Sequence, residues 1–324
     1  MPARRSVGVT NVALAVGFAP MLEQAELVLI PRGPFSLRAA AEFGFGPNEG
    51  RLSAFDGAMR LAFPLDGGRG YVGAVLRQEQ TSAPVTVELH CIEVTDQQAA
   101  LRQLARILSL DHDGEKFVHV GERDHVIGAL QRAHPGQRPV LFHSPYEAAA
   151  WSIISARRPA AQSARVRAAL SKQLGATFEL AGQTLHAFPQ PGRLLESGDQ
   201  LPGLNPEKVG RLHGVADASL AGRLDVELLH ELGPERAWAE IQRLRGIGPF
   251  YAGLVVLRAS GFADALLPLA EAKGLSHLTR FYGLASEPSP ERRGEIAEGW
   301  RPFRTWAAVL IRLAGDRGTA LADR

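Results

Sequence analysis

Two glycines flank a single apolar residue within residues 244–252. Gly246 and Gly248 permit a tight turn with positive φ and let another molecule approach the backbone closely, and Ile247 between them can anchor the turn in a core. Pro249 suits the first position of a following helix, whose free N–H groups can bind a phosphate oxygen. The pattern predicts a helix-hairpin-helix, a clamp for DNA phosphates that ignores base sequence, although an ordinary helical hairpin also carries glycines at its bend.

A run of cations without acidic neighbours is a second candidate for phosphate binding. Between residues 148 and 178 the basic side chains are Arg157, Arg158, Arg165, Arg167 and Lys172, and no acidic side chain occurs. The guanidinium fork matches phosphate oxygens, so this run and Arg245, beside the glycines, could contact nucleic acid. A solvated helix face in an arginine-rich composition explains the same run without a ligand.

Helical periodicity surrounds both features. Ser144 and Glu147 form the pattern of a capping box with Pro145 at the first helical position, and the helix that they open should stop before Pro159. The glycine pair lies between apolar patterns typical of two amphipathic helices. The same spacing predicts helices at residues 97–108, 161–174, 206–216, 234–244, 250–260, 272–282 and 302–313, and one strand is expected among them at residues 178–185.

The first third of the chain has a different period. Residues 72–76 and 85–91 alternate between apolar and polar, and Asp66-Gly67-Gly68 supplies a turn. We predict an α+β N-terminal domain, an antiparallel sheet with helices, followed by a mainly α region. The expected boundaries are an extension of unknown role at 1–20, the sheet domain at 21–110 and the helical region at 111–324.

Composition excludes several classes of protein. The chain has 324 residues, with 45% hydrophobic and 22% charged side chains, which is ordinary for a globular protein. Its one cysteine, Cys91, excludes an intramolecular disulfide framework, a cysteine-built zinc site and a four-cysteine iron–sulfur cluster. The histidines show no ligand spacing, so we expect no metal. The sequence contains no uninterrupted apolar run of the about 18 residues that a membrane span needs. We therefore expect a cytoplasmic protein.

The hairpin and two later segments carry a resemblance to a known family. Residues 264–268, Asp-Ala-Leu-Leu-Pro, and the tail from Trp300 to Ala308 resemble the 3-methyladenine DNA glycosylase II family of the helix-hairpin-helix DNA glycosylase superfamily. Residues 201–204 with Lys208 fit as well, and the likeness covers roughly residues 25–315. It implies a sheet-containing N-terminal domain packed on two helical subdomains, with the DNA cleft between the latter.

The resemblance also implies a chemistry. Such enzymes flip a damaged base out of duplex DNA, and a buried carboxylate supports the sugar cation while water attacks. It implies a hydrolase of base excision repair that acts on alkylated or damaged purines as a monomer, without metal or organic cofactor, and that associates with the nucleoid through DNA. Bifunctional relatives use a hairpin lysine, and its absence here argues against a lyase.

The expected catalytic position departs from the family pattern. The family aspartate follows the proline equivalent to Pro268 by two or three residues, which places it at Ala270 or Glu271. Glu271 is the only carboxylate between Asp264 and Glu287, so it is the local candidate for the catalyst. The alternative is a carboxylate that caps the N-terminus of the following helix.

The positions for the wedge and the base pocket also depart from the family. Relatives carry an apolar wedge after a glutamine, where this chain has Arg157; an arginine can still stack in the gap, and Arg158 would hold a phosphate. Arg312 stands where a pocket tryptophan is expected, and a cation there should disfavour a cationic base. The aromatic candidates for the pocket are Trp151, Phe250 and Tyr251, which could equally belong to a core.

The tail supplies two more candidate DNA contacts, Arg301 and Arg304, which could instead make surface pairs. Asp264 is expected to cap or brace the second hairpin helix. Two functions follow. The chain is a monofunctional glycosylase that uses Glu271, or it is a DNA-binding homologue that keeps the clamp and has lost cleavage.

Overall fold

The computed structural model describes residues 27–43, 55–67, 70–266 and 271–321. The predicted extension at residues 1–20 lies outside the described residues, as do Gly68 of the expected turn and Ala270 of the expected catalytic segment.

A four-stranded antiparallel sheet forms the N-terminal part. Its strands are β1 (Leu27–Leu29), β2 (Ala58–Pro64), β3 (Tyr71–Gln78) and β4 (Val85–Ile92), in the spatial order β1-β4-β3-β2. Helices α1 (Leu37–Ala41) and α2 (Gln97–Ile107) pack on one face around Phe35, Phe63 and Leu104, which are fully buried. The α+β class and the antiparallel sheet are therefore confirmed.

The second face of the sheet is covered by a hairpin from the helical region. Strands β5 (Thr177–Leu180) and β6 (Gln183–His186) pair antiparallel, where the sequence suggested a single strand at 178–185. Phe178 and Leu180 pack against Tyr71 and Val75. The turn at Ala181 and Gly182, both at positive φ, splits the predicted strand in two.

Helices make up the rest of the described chain. In order they are α3 (Gly114–Arg123), α4 (His125–Ala133), α5 (Pro145–Ser155), α6 (Ala160–Leu174), α7 (Pro191–Leu195), α8 (Pro206–Leu220), α9 (Val226–Leu232), α10 (Pro234–Ile241), α11 (Pro249–Ala259), α12 (Ala272–Phe281), α13 (Pro290–Glu298) and α14 (Arg304–Asp316). The sequence analysis predicts no helix at α3, α4, α7, α9 or α13, and length alone does not explain this, since the eight-residue α10 was predicted.

Two apolar cores hold the helices. One joins α5, α8, α10 and α11, and includes Ile153, Leu212 and Ile247. The other joins α3, α4, α12, α13 and α14 around Trp300 and Trp306. The predicted helix-hairpin-helix at residues 244–252 belongs to the first core, and the tail at residues 300–308 belongs to the second.

A buried ion pair fixes α5 to α6. The Ser144 hydroxyl accepts the Glu147 N–H at 3.0 Å, as a capping box requires, but the carboxylate of Glu147 does not complete the box. It accepts hydrogen bonds from Arg167 Nη2 at 2.7 Å and pairs with His143 Nδ1 at 3.2 Å. Burial alone would raise the pKa of Glu147, but the charges and hydrogen bonds of His143 and Arg167 outweigh it and lower this pKa to about 2. Arg167 is thereby withdrawn from the predicted basic surface.

Candidate nucleic-acid interface

The predicted hairpin forms between α10 and α11. Ile247 is 4% exposed, and its N–H donates to the Leu244 carbonyl at 3.0 Å, so the turn is anchored in the core as expected. Gly246 has φ +92°, whereas Gly248 has φ −88° and begins α11 as its cap. The positive φ expected at both glycines therefore occurs only at Gly246, and Gly248 has an extended backbone instead.

Gly246 is required by the chain itself. A Cβ atom at this position would lie 2.6 Å from Arg211 Cδ and 3.2 Å from Ile153 Cδ1, and its φ disfavours every other residue type. The turn thus lies directly against α5 and α8. At Gly248 a Cβ atom would meet nothing within 4 Å, and its φ suits any residue. Among the described residues nothing requires glycine there, which leaves space for a partner to approach the amides that open α11.

The C-terminal end of α5 lies against the start of α11, because Ser155 Oγ donates to the Tyr251 hydroxyl at 3.2 Å, and Arg157 follows two residues later. Arg157 is exposed and has φ +55°, a left-handed conformation that costs a non-glycine residue about 1 kcal/mol. Lys208 on α8 stabilises the helix end, because its Nζ donates to the carbonyls of Ile154 and Ala156, both at 2.9 Å. The predicted wedge residue is therefore exposed at the tip of a tightly fixed helix end.

Two further cations adjoin Lys208. Arg158 Nη2 donates to the Gly203 carbonyl at 2.8 Å, and Arg211 Nη2 pairs with Glu207 Oε1 at 2.5 Å. Burial lowers the pKa of the Lys208 ammonium, and the charges of Arg158 and Arg211 lower it further. We call Arg158, Lys208 and Arg211 the cation cluster.

Sequence reasoning missed most of this cluster. It took Lys208 only as part of a motif and did not consider Arg211. The available signal was the spacing of residues 208 and 211, which puts both side chains on one face of a helix. Among the remaining cations predicted to contact DNA, Arg245 is exposed beside Gly246, and Arg165 and Lys172 are exposed on α6.

Glu271 caps the N-terminus of α12, as the alternative interpretation expected. Its Oε2 accepts the Gly274 N–H at 2.8 Å, and its Oε1 accepts from Arg312 Nη1 at 3.0 Å. Arg312 Nη2 pairs in turn with Asp316 at 3.0 Å. The structure thus joins the predicted catalyst to a predicted pocket residue, with both carboxylate oxygens engaged and a third of the side chain exposed.

The aromatic candidates divide between core and surface. Trp151 is 7% exposed and belongs to the core of α5, whereas Phe250 is 50% exposed. Tyr251 contacts Phe250 edge to face, with ring centroids 5.4 Å apart, and its hydroxyl oxygen accepts from Ser155 Oγ at 3.2 Å. Two cavities of about 490 and 420 Å³ lie elsewhere in the described chain, and neither is lined by any of these three residues. The aromatic pocket remains a prediction.

The tail arginines are engaged with a carboxylate. Asp264 accepts from Arg304 Nε at 2.6 Å and from Arg301 Nη1 at 3.1 Å, and also from the Arg304 N–H at 3.3 Å. Arg301 further pairs with Glu298 at 2.6 Å. Asp264 therefore braces the start of α14 rather than the second hairpin helix, because the loop after α11 carries it to that end. DNA contacts by Arg301 and Arg304 remain predictions.

The described residues contain neither a group of metal ligands nor a membrane-spanning helix. No group of three His, Cys, Asp or Glu side chains in this part of the chain could hold a metal ion. None of the described helices has the length and apolar character needed to cross a membrane.

Comparison with known proteins agrees with the geometry. No family model matches the chain. DNA-3-methyladenine glycosylase of Bacillus subtilis is 21% identical over 242 residues, which cover 74% of this chain and 79% of that protein. The probable bifunctional transcriptional activator/DNA repair enzyme AlkA of Mycobacterium tuberculosis is 27% identical over 85% of this chain, which spans 56% of that protein's length.

A solved structure shows the same fold. The 3-methyladenine DNA-glycosylase of Archaeoglobus fulgidus superposes with a TM-score of 0.73 at 22% identity, over 90% of this chain and 99% of that one. The sequence relatives and the shared fold make this chain similar to 3-methyladenine DNA glycosylases, and they support the resemblance carried by its hairpin and tail.

Proposed function

We propose that the protein is a monofunctional DNA glycosylase of base excision repair, which hydrolyses the N-glycosidic bond of alkylated or otherwise damaged purines. One observation carries the DNA-binding part of this proposal. The hairpin opens α11 with a glycine that the fold itself does not need, and α5, which contacts α11 through Ser155 and Tyr251, ends next to an exposed arginine. The relatives named DNA-3-methyladenine glycosylase supply the reaction class.

DNA binding would use the surface built by the hairpin and the end of α5. The free N–H groups at the start of α11 would donate to phosphate oxygens, and the absence of a side chain at Gly248 would let the backbone come close. Arg157 would fill the gap left by the flipped base. Its left-handed backbone holds the residue at the tip whether or not DNA is present, so little ordering would be needed on binding.

Catalysis would depend on Glu271. The glycosidic electron pair would leave with the base, water would add to the C1′ cation and lose its proton to the solvent, and a nearby carboxylate would stabilise the developing cation. To serve, Glu271 would keep its cap bond to the Gly274 N–H and turn its other oxygen from Arg312 toward the sugar. The hairpin contains no lysine, so no Schiff base is proposed.

The hydrogen bonds of Glu271 favour a second function. Both oxygens of Glu271 are already engaged, one in the helix cap and one with Arg312. A carboxylate held in this way suits a DNA-binding homologue that recognises lesions without cleaving them. The hairpin supports both functions equally.

The domain organisation, the partner, the oligomeric state and the location of the protein are also proposed here. We propose two helical subdomains with the DNA cleft between them, domain boundaries near residues 20 and 110, damaged duplex DNA as the partner, and a monomer acting in the cytoplasm on the nucleoid. The two apolar cores of the helical region support the division into two subdomains.

Base release from methylated duplex DNA tests the choice between the two functions. We expect abasic sites, scored after mild alkali, with the parent protein, and none with Glu271→Gln, whose DNA affinity should stay within about twofold because only the sugar cation needs the charge. Asp316→Asn is the matched control, since Asp316 also pairs with Arg312, and it should retain base release. A parent that releases no methylated, deaminated or oxidised base establishes the non-catalytic function instead.

A further inference from the structure

The cation cluster contains hydrogen-bond donors that the chain does not use. Arg158 Nη1 and Arg211 Nε are buried, and neither has an acceptor among the described residues. A buried donor without an acceptor costs free energy, and each of these belongs to a guanidinium that already makes one ordered bond. The two groups adjoin Lys208, whose ammonium they help to destabilise.

The cation cluster also carries positive charge that the neighbouring described residues do not compensate. Three cations surround the end of α5 and the first turns of α8, and among the described residues Glu207 is the one carboxylate paired with any of them. The acceptors of Lys208 and Arg158 are neutral backbone carbonyls. Carbonyls explain where these side chains lie, but they do not compensate the excess positive charge or the two unused donors.

We propose that the cation cluster binds a phosphate group, toward which the side chains of Arg158 and Arg211 turn their unused donors, and that its ligand is a backbone phosphate of duplex DNA. This inference rests on the proposed DNA binding and adds a contact separate from the amides of the hairpin. A phosphate offers the several acceptor oxygens and the negative charge that the site lacks. The cluster also adjoins the hairpin, because Arg211 Nε would lie only 3.0 Å from a Cβ atom at Gly246.

Two substitutions in one ion pair distinguish this role from a structural one. Arg211→Met keeps the apolar stem beside Gly246 and removes the donors, and it should weaken duplex binding by about tenfold and reduce the slope of log K against log salt by about one. Glu207→Gln removes the competing carboxylate and should tighten binding at low salt. Arg292→Met, which breaks a comparable exposed pair with Glu295 on α13, is the control and should bind like the parent.

Fluorescence anisotropy over a range of salt concentrations, together with melting temperatures of each variant, gives the readout. If both members of the pair weaken binding alike and lower the melting temperature alike, the pair is structural and the inference is wrong. A second arm adds inorganic phosphate to the parent in chloride buffer. Stabilisation of the parent but not of Arg211→Met, with an unchanged DNA salt slope, assigns the site to free phosphate and overturns the DNA contact.

Failure of this inference differs from failure of the proposed function. A parent protein that binds no duplex at any salt concentration contradicts the proposed function itself. A parent that binds normally, with Arg211→Met showing the same affinity and salt slope, contradicts only the phosphate site of the cation cluster.

Discussion

Alanine at Gly246 and at Gly248 should have opposite consequences, although the two glycines are only two residues apart. Gly246→Ala must place a methyl group at φ +92° and 3.2 Å from the buried Ile153, which costs about 2 kcal/mol of folding stability. Gly248→Ala adds a methyl group where nothing lies within 4 Å. There the weaker capping by alanine and the smaller entropy of the unfolded chain offset each other to within about 0.5 kcal/mol.

The affinity for DNA should fall more in Gly248→Ala than in Gly246→Ala, the reverse of the order for folding stability. A methyl group at Gly248 points into the space where a phosphate would approach the amides of α11, and the loss of one charge-assisted hydrogen bond, about 1.5–3 kcal/mol, weakens binding about 10- to 100-fold. The salt slope should stay unchanged, because an amide contact carries no charge to release counterions. Folded Gly246→Ala should lose no more than the roughly tenfold expected of Arg211→Met, since its methyl group points toward Arg211 and Ile153 and not toward the amides of α11. Any such loss should lower the salt slope, because it acts through the charge of Arg211.

Melting temperatures and anisotropy titrations on one duplex give both quantities. For a chain of this length, 2 kcal/mol corresponds to a fall of about 3 °C for Gly246→Ala, with no comparable fall for Gly248→Ala. Gly294→Ala on α13, where a Cβ atom also meets nothing within 4 Å, controls for the general effect of replacing a glycine. If Gly248→Ala binds DNA as tightly as the parent while remaining folded, the phosphate contact at the start of α11 does not exist.

Two other residues give further predictions. Glu147→Gln leaves Arg167 buried without a charged partner and should cost about 3–5 kcal/mol in urea unfolding; a loss below 1 kcal/mol would mean that the pair contributes little. Because the pKa of Glu147 falls from 4.5 to about 2 on folding, its contribution is complete above pH 4.5 and is lost as the pH falls toward 2, so Glu147→Gln should flatten the acid side of the stability profile. Arg157→Ala should weaken binding to an abasic-site analogue more than to undamaged duplex, and equal losses would make Arg157 a backbone contact. Arg157→Gly should raise stability by about 1 kcal/mol by relieving the left-handed backbone, yet lose the same preference for the abasic analogue.

Local patterns in the sequence were sufficient for the hairpin and most of the long helices. Ile247 and Pro249 act within one turn of chain, so the burial of the turn and the start of α11 follow from the local sequence, whereas the positive φ allowed at both glycines occurs only at Gly246. The sheet is equally local in origin, because alternation within β3 and β4 requires one face of each strand to be buried. The cap at Ser144 depends on contacts within three residues.

Contacts between distant residues required the tertiary structure. Glu271 meets Arg312 across 41 residues, and Lys208 reaches the Ala156 carbonyl across 52. Periodicity identifies which face of a helix is buried but not which helix packs against it, nor at what angle. For that reason the spacing of Ser144 and Glu147 predicts a complete capping box, although the Glu147 carboxylate binds Arg167 on α6.

The candidate site illustrates the same division. The sequence by itself determined the residue types of a phosphate clamp, the exposed arginine after α5 and the absence of the expected aspartate among its neighbours. Only the folded chain decided that Gly248 faces open space while Gly246 is packed, and that Arg158, Lys208 and Arg211 share one site. The physical reason is that charge, solvation and steric space at a site are set by every element that reaches it. Here α5, α8 and the hairpin are brought together by the packing of their common core.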